Sequence, residues 1–151
     1  MSIKKLKAGN VVLSEYGVIG QESKHTLINV YSGDIVVAYF PAQMNFCAYI
    51  ELMNIVAEID VTIRIMLDNT EFGKIVANLK PLNPEVTGGV IFLPSFQVGL
   101  LKQTHLSFVA SSEGYAPVTI LKKRISQGPI LSAPIASQPP PSQSQPDAPA
   151  S

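Results

Sequence analysis

The chain has 151 residues, 46% hydrophobic and only 15% charged, with eleven basic residues against eleven acidic ones. That is the size of one domain and apolar enough for a real core, while a formal charge of zero gives no field to gather phosphates and disfavours a nucleic-acid partner. The single cysteine, Cys47, excludes an internal disulfide framework and a cysteine-ligated zinc site, and fits a reducing cytoplasm.

The first residues, "MSIKKLKAGN", are basic, but no continuous apolar run of about 7–15 residues follows them as in a signal peptide. No stretch reaches the ~18 apolar residues of a membrane span. The expectation is a soluble cytoplasmic protein with no membrane partner. Short stretches rich in Val, Ile, Thr and Tyr predict strands at about 10–20 ("NVVLSEYGVIG"), 25–31 ("HTLINVY") and 34–39 ("DIVVAY"). The segment 47–58 ("CAYIELMNIVAE") is ambiguous. Ala48, Ile50 and Leu52 alternate with Tyr49 and Glu51, as in a strand, yet Tyr49, Leu52, Met53 and Val56 have helical spacing. Its neighbours favour the strand.

The clearest pattern is "EIDVTIRIMLD". Ile59, Val61, Ile63, Ile65 and Leu67 share one face, and Asp60, Thr62, Arg64 and Asp68 the other. Ile75, Ala77 and Leu79 repeat this against Lys74, Asn78 and Lys80, and the intervening "DNTEFG" supplies turn residues, so a β-hairpin is predicted. Residues 88–99 predict one or two strands, with an edge position, a bulge or a break at Pro94, which has no N–H to donate. The run "VIFLPSFQVGLL" at 90–101 is apolar on both faces, which implies a central strand or a face turned to a partner. Two last strands are predicted at 104–110 and 117–125. Many short strands separated by turn residues indicate an all-β protein, an antiparallel β-sandwich, Ig-like or similar, over 1–126. Residues 127–151 hold seven of the twelve prolines and one charge, Asp147, and predict a disordered or polyproline-like tail. "PDAP" at 146–149 has the P-x-x-P form, but without a basic or aromatic neighbour it reads as a solubilising extension that leaves the domain unchanged.

Chemistry is sparse. His25 and His105 each open a predicted strand, Cys47 has no basic neighbour in sequence, and there is no G-x-S-x-G elbow. Asp34, Asp60, Asp68 and Glu71 lack the spacing of a calcium loop. "GVIG" at 17–20 lacks the basic helical setting of a nucleic-acid clamp, so Gly17 and Gly20 read as a bulge and a turn. The clusters Lys4/Lys5/Lys7 and Lys122/Lys123/Arg124 form one patch only if the two ends of the domain meet. No residue qualifies as catalytic, cofactor-binding or metal-ligating, no cofactor is implied, and no small-molecule substrate is evident.

"NVVLSEY", then "LINVYSGDIVVAYFPAQMNFCAYIEL", "LDNTEFGKI" and finally "THLSFVASSEGYAPVTILKKRI" follow one another in an order that resembles an uncharacterised bacterial and phage family of β-sandwich proteins, a domain of unknown function. The resemblance spans about 11–125, with Phe40-Pro41 in the place of that family's "FP". It implies the sandwich fold and carries no site residues. The expectation for function is therefore a non-enzymatic protein that acts by binding a protein partner or by self-association, as an accessory or structural component. The alternative is a small hydrolase using His25 or His105 with a loop carboxylate.

Overall fold

Alternating apolar and polar residues become extended chain almost throughout. The computed structural model describes residues 2–81, 83–85 and 87–129. Among them lie nine strands: β1 Lys7–Ile19, β2 His25–Val30, β3 Ile35–Val37, β4 Ala42–Met53, β5 Ile59–Leu67, β6 Thr70–Leu79, β7 Gly88–Leu100, β8 Thr104–Ser112 and β9 Tyr115–Gln127. They form two sheets, β2-β1-β4-β7 and β3-β9-β8-β5-β6, here called A and B. All pairings are antiparallel except β3 with β9, which run parallel from Ile35↔Ile125 to Val37↔Gln127. The expected β-sandwich is present, with this one parallel edge.

The core lies between the sheets. Val61, Ile63 and Ile65 of β5 are buried, while Thr62 and Arg64 lie on the other face at intermediate exposure. Ala48, Ile50 and Leu52 of β4 meet them from sheet A, so the ambiguous 47–58 segment is strand as far as Met53 and leaves the sheet after it. Burying such a side chain is worth about 1.5–3 kcal/mol, which is why one face of each strand is so strictly apolar. The β5–β6 hairpin forms as predicted, with Asp68 in the left-handed region (φ 51) at its turn.

The 88–99 region is one strand at the edge of sheet A, in keeping with the expectation at Pro94, so of the two readings of the apolar run at 90–101 the central one falls. At Pro94 the register slips from Phe46↔Phe96 to Ala48↔Leu93, an extra residue on β7 that absorbs the missing donor. The outward Phe92 is covered by a segment of the same chain, described below, and Phe96 lies 6.5 Å, ring centroid to centroid, from Phe72 of β6. The last strand runs one residue past the expected domain end. β9 continues to Gln127, and the Gly128 N–H donates to the Val37 carbonyl at 3.1 Å. The tail expected over 127–151 otherwise lies outside the described residues.

Candidate functional site

The feature that organises the surface begins where β1 changes partners. β1 pairs with β4 only as far as Ser14↔Cys47, and from Tyr16 to Ile19 its partner is β2 alone. The resulting two-stranded ribbon lies against the outer face of sheet A. A Cβ on Gly17 would sit 2.5 Å from Cys47 Sγ and 2.8 Å from Phe92 Cζ, so only glycine allows the approach. Gly17 thus marks a crossing of layers, not the bulge expected from sequence. The His25 ring lies 5.4 Å from Tyr49 and 4.9 Å from Phe92, centroid to centroid, which closes the other strand of the ribbon onto the sheet.

The ribbon's base is tied down by polar contacts. The Ser14 hydroxyl donates to the Tyr16 carbonyl at 2.9 Å, and the Asn29 amide donates to Glu15 Oε2 at 2.7 Å. Tyr31, 5.5 Å from Phe46 by ring centroid, points its hydroxyl at Glu15 Oε1 and the Asn45 carbonyl, both at 3.5 Å. Burial first, and the Glu15 carboxylate second, push its pKa up to about 12.

Cys47 is fully buried beneath this ribbon and outside the main core cluster. Burial pushes its thiol pKa up, only partly opposed by the Ser14 hydroxyl, so the nucleophilic thiolate is disfavoured. Beside the ribbon tip, where sheet A meets the end of β6, opens a groove of about 760 Å³. His25, Tyr49, Glu51, Lys80 and Thr87 are among its lining residues. Glu51 accepts a hydrogen bond from the Asn10 amide at 3.3 Å. Among the described residues no hydrogen bond or ion pair joins His25 to Glu51. The groove therefore offers an aromatic wall and separate charges, without a proton-transfer pair.

The second histidine does meet a carboxylate. His105 Nδ1 lies 3.6 Å from Asp68 Oδ1, both groups about half exposed. The His105 backbone N–H donates to Asp68 Oδ1 and the Asp68 N–H to the His105 carbonyl, each at 2.9 Å. These bonds, the His105 backbone N–H first and the Thr104 hydroxyl second, hold the Asp68 carboxyl below its ordinary value. They also fasten the β5–β6 turn to the start of β8. The adjoining cavity is about 520 Å³, and the hydroxyls lining it belong to Thr70 and Thr104, with no serine or cysteine.

The remaining candidates disperse. Asp60 accepts from the Asn78 amide at 2.9 Å at the start of β5, the opposite end from Asp68, and Asp34 accepts from the Arg124 N–H at 3.4 Å. Among the described residues no three His, Cys, Asp or Glu side chains are placed to hold a metal ion. The two basic clusters do not merge. Lys4 and Lys5 meet Ala116 at the start of β9, while Lys122–Arg124 lie six to eight residues further along it, roughly 20–26 Å away.

Exposed apolar residues concentrate on the ribbon. Tyr16, Val18, Ile28 and Val30 are all about half exposed, and Tyr16↔Ile28 and Val18↔Thr26 are cross-strand pairs with no charge among them. Sequence reasoning did not find this surface, because the residues that cover its underside, Tyr49 and Phe92, are remote in sequence. The available signal was a pair of small residues, Ser14 and Gly17, among the apolar residues Val11–Leu13 and Val18–Ile19 of the same strand. No helix among the described residues is long and apolar enough to cross a membrane. Compared with known proteins, the chain matches no family model and no curated sequence.

Proposed function

We propose that this chain is a non-enzymatic binding protein that takes an extended segment of a partner protein along β2, with the apolar outer face of the β1–β2 ribbon as the adjoining contact. The observation that carries this reading is the state of the four sheet edges. β3 is only three residues long, β6 carries Lys74 on its exposed side, and β7 is bulged at Pro94. Each is a device that discourages strand addition. β2 is six residues long, His25–Val30, with no Lys, Arg, Asp, Glu or Pro, and among the described residues no strand pairs with its outer side. Strand addition draws its affinity from unpaired backbone groups and its specificity from alternate side chains.

The test compares proteins retained from cells of the source organism by the native chain, by Ile28→Lys and Tyr16→Lys variants, and by a Lys122→Ala control. A specific partner lost with the two ribbon variants and kept by the control supports the reading. Full retention by both ribbon variants overturns it. The His105–Asp68 pair, at 3.6 Å, favours the hydrolase as a second reading. A hydrolytic activity abolished by His105→Ala without loss of folding would establish that reading instead.

A further inference from the structure

The crossing of the ribbon over sheet A leaves a shelf on the open side of β2. Along the outward face of β4, Cys47 lies under Gly17 of β1, and Tyr49 lies against His25 of β2. Glu51 is the next outward residue, roughly 6–7 Å further on at two residues of strand rise. It therefore falls beyond β2, on the side where no strand pairs with β2 among the described residues. Two cavities open there, of about 760 Å³ and about 480 Å³, and they share His25 and Tyr49, so the shelf is continuous beneath the edge of β2. Asn10 and Val12, the latter paired with Tyr49, supply its floor on β1.

Glu51 is the carboxylate of this shelf, and no cation answers it. It is partly buried, its neighbour across on β7 is the apolar Val90, and on the β1 side Gly9 offers no side chain, a Cβ there lying 3.2 Å from Glu51 Cδ. The Asn10 amide donates to it at 3.3 Å. Lys24 at the ribbon tip is paired with Glu22 at 3.0 Å. Neither Lys7, opposite Met53, nor Lys80, which lines the same groove, forms an ion pair with Glu51 among the described residues. A carboxylate partly withdrawn from water without a cation favours a ligand that brings one.

A strand added to β2 lies about 4.8 Å beyond it and turns alternate side chains down onto the shelf, as β2 itself turns His25 and Leu27. We propose that the extended segment bound along β2 carries a lysine or arginine whose cationic head meets Glu51, with an apolar side chain two positions away resting on Tyr49 and Val12. The inference rests on the proposed strand addition and adds the chemistry of the segment, uncharged strand-forming residues around one basic position. An acidic residue at that position would meet like charge and be rejected.

The test uses the full chain with a random heptapeptide library displayed on phage as the probe. The native chain is expected to enrich heptamers with Lys or Arg at one fixed position and an apolar residue two positions away. A selected peptide, made synthetically, should bind Glu51→Gln about fivefold more weakly than the native chain and Glu51→Lys more weakly still. Changing its basic residue to Glu should restore binding to Glu51→Lys, a charge exchange that a merely structural role of Glu51 would not produce. The Tm of each variant reports its folding, and Glu51→Gln decides alone if Glu51→Lys does not fold. Heptamers that are enriched by the native chain and lost with Ile28→Lys, but show no basic position or bind both Glu51 variants equally well, would overturn the inference and leave strand addition along β2 standing. Failure of strand addition itself has a different signature, no enrichment by the native chain or enrichment that survives Ile28→Lys, and either result would overturn the inference with it.

Discussion

The β5–β6 hairpin and the β1–β2 ribbon are both antiparallel two-stranded units, yet they bury their side chains in opposite ways. In the hairpin one face enters the core, with Val61 and Ile63 fully buried, and the other carries Arg64, Lys74 and Asn78. Alternation in sequence therefore maps onto inside and outside. In the ribbon the covered face holds Gly17 and His25, and the uncovered face holds Tyr16, Val18 and Ile28. There, residue polarity does not report burial. A period-two pattern reports burial only where the strand faces a core on one side and water on the other.

Substitutions at matched positions sharpen this contrast. The largest effect is expected from Ile63→Ala, a loss of about 2–5 kcal/mol in chemical denaturation, against less than about 0.5 kcal/mol for Thr62→Ala on the outer face. Equal losses would mean that the faces of β5 are misassigned. Next is Gly17→Val, whose added atoms have no room between Cys47 and Phe92; it should cost about 1–3 kcal/mol. Gly99→Val, at a glycine with open space around its Cα, should change little. A Gly17→Val variant as stable as the native protein would show that the ribbon does not rest on sheet A.

His25→Ala should cost less, about 0.5–1.5 kcal/mol, through its lost contacts with Tyr49 and Phe92. His25→Phe should recover most of that loss, since ring packing and not charge makes the contact. The smallest effect, seen only as a loss at alkaline pH, concerns Tyr31 at the ribbon base. Its folded pKa of about 12 stands above the ordinary 10.0, so the folded state holds the proton more tightly. The stability linked to it is complete below pH 10.0 and is lost as pH rises toward 12. Alkaline denaturation of Tyr31→Phe should show a shallower loss over that window than the native chain.

Much of the fold was legible locally. The faces of β5 and β6, their turn, the strand character of residues 47–53 and the irregularity at Pro94 all follow from residue type and period within a dozen positions. What was not legible depends on residues far apart in the chain. The outward Phe92 implied a partner or a central position until His25 and Gly17, more than sixty residues earlier, were found against it. The parallel pairing of β3 with β9 joins residues 35 and 125 and has no local signature. Of the candidate residues, His25 reads in sequence as a polar residue at a strand start and Cys47 as a buried thiol, and they lie on the two sides of the contact between ribbon and sheet A. The Asp68–His105 contact was open to guesswork only as one of several carboxylate pairings, because a turn and a strand start meet there through tertiary structure.

The burial of the chain's one thiol also makes the protein its own kinetic gauge. Cys47 is sealed between the ribbon and sheet A, so a thiol reagent reaches it by one of two routes: the ribbon lifts, or the whole domain unfolds. The routes respond differently to urea. Global unfolding exposes the full core and accelerates labelling with a slope of about 1–3 kcal/mol per molar, whereas lifting a two-stranded layer exposes little surface and gives a slope near zero. Labelling of the unaltered protein at low urea thus reads the opening equilibrium of one layer directly, against the cooperative stability of the sandwich on which it rests.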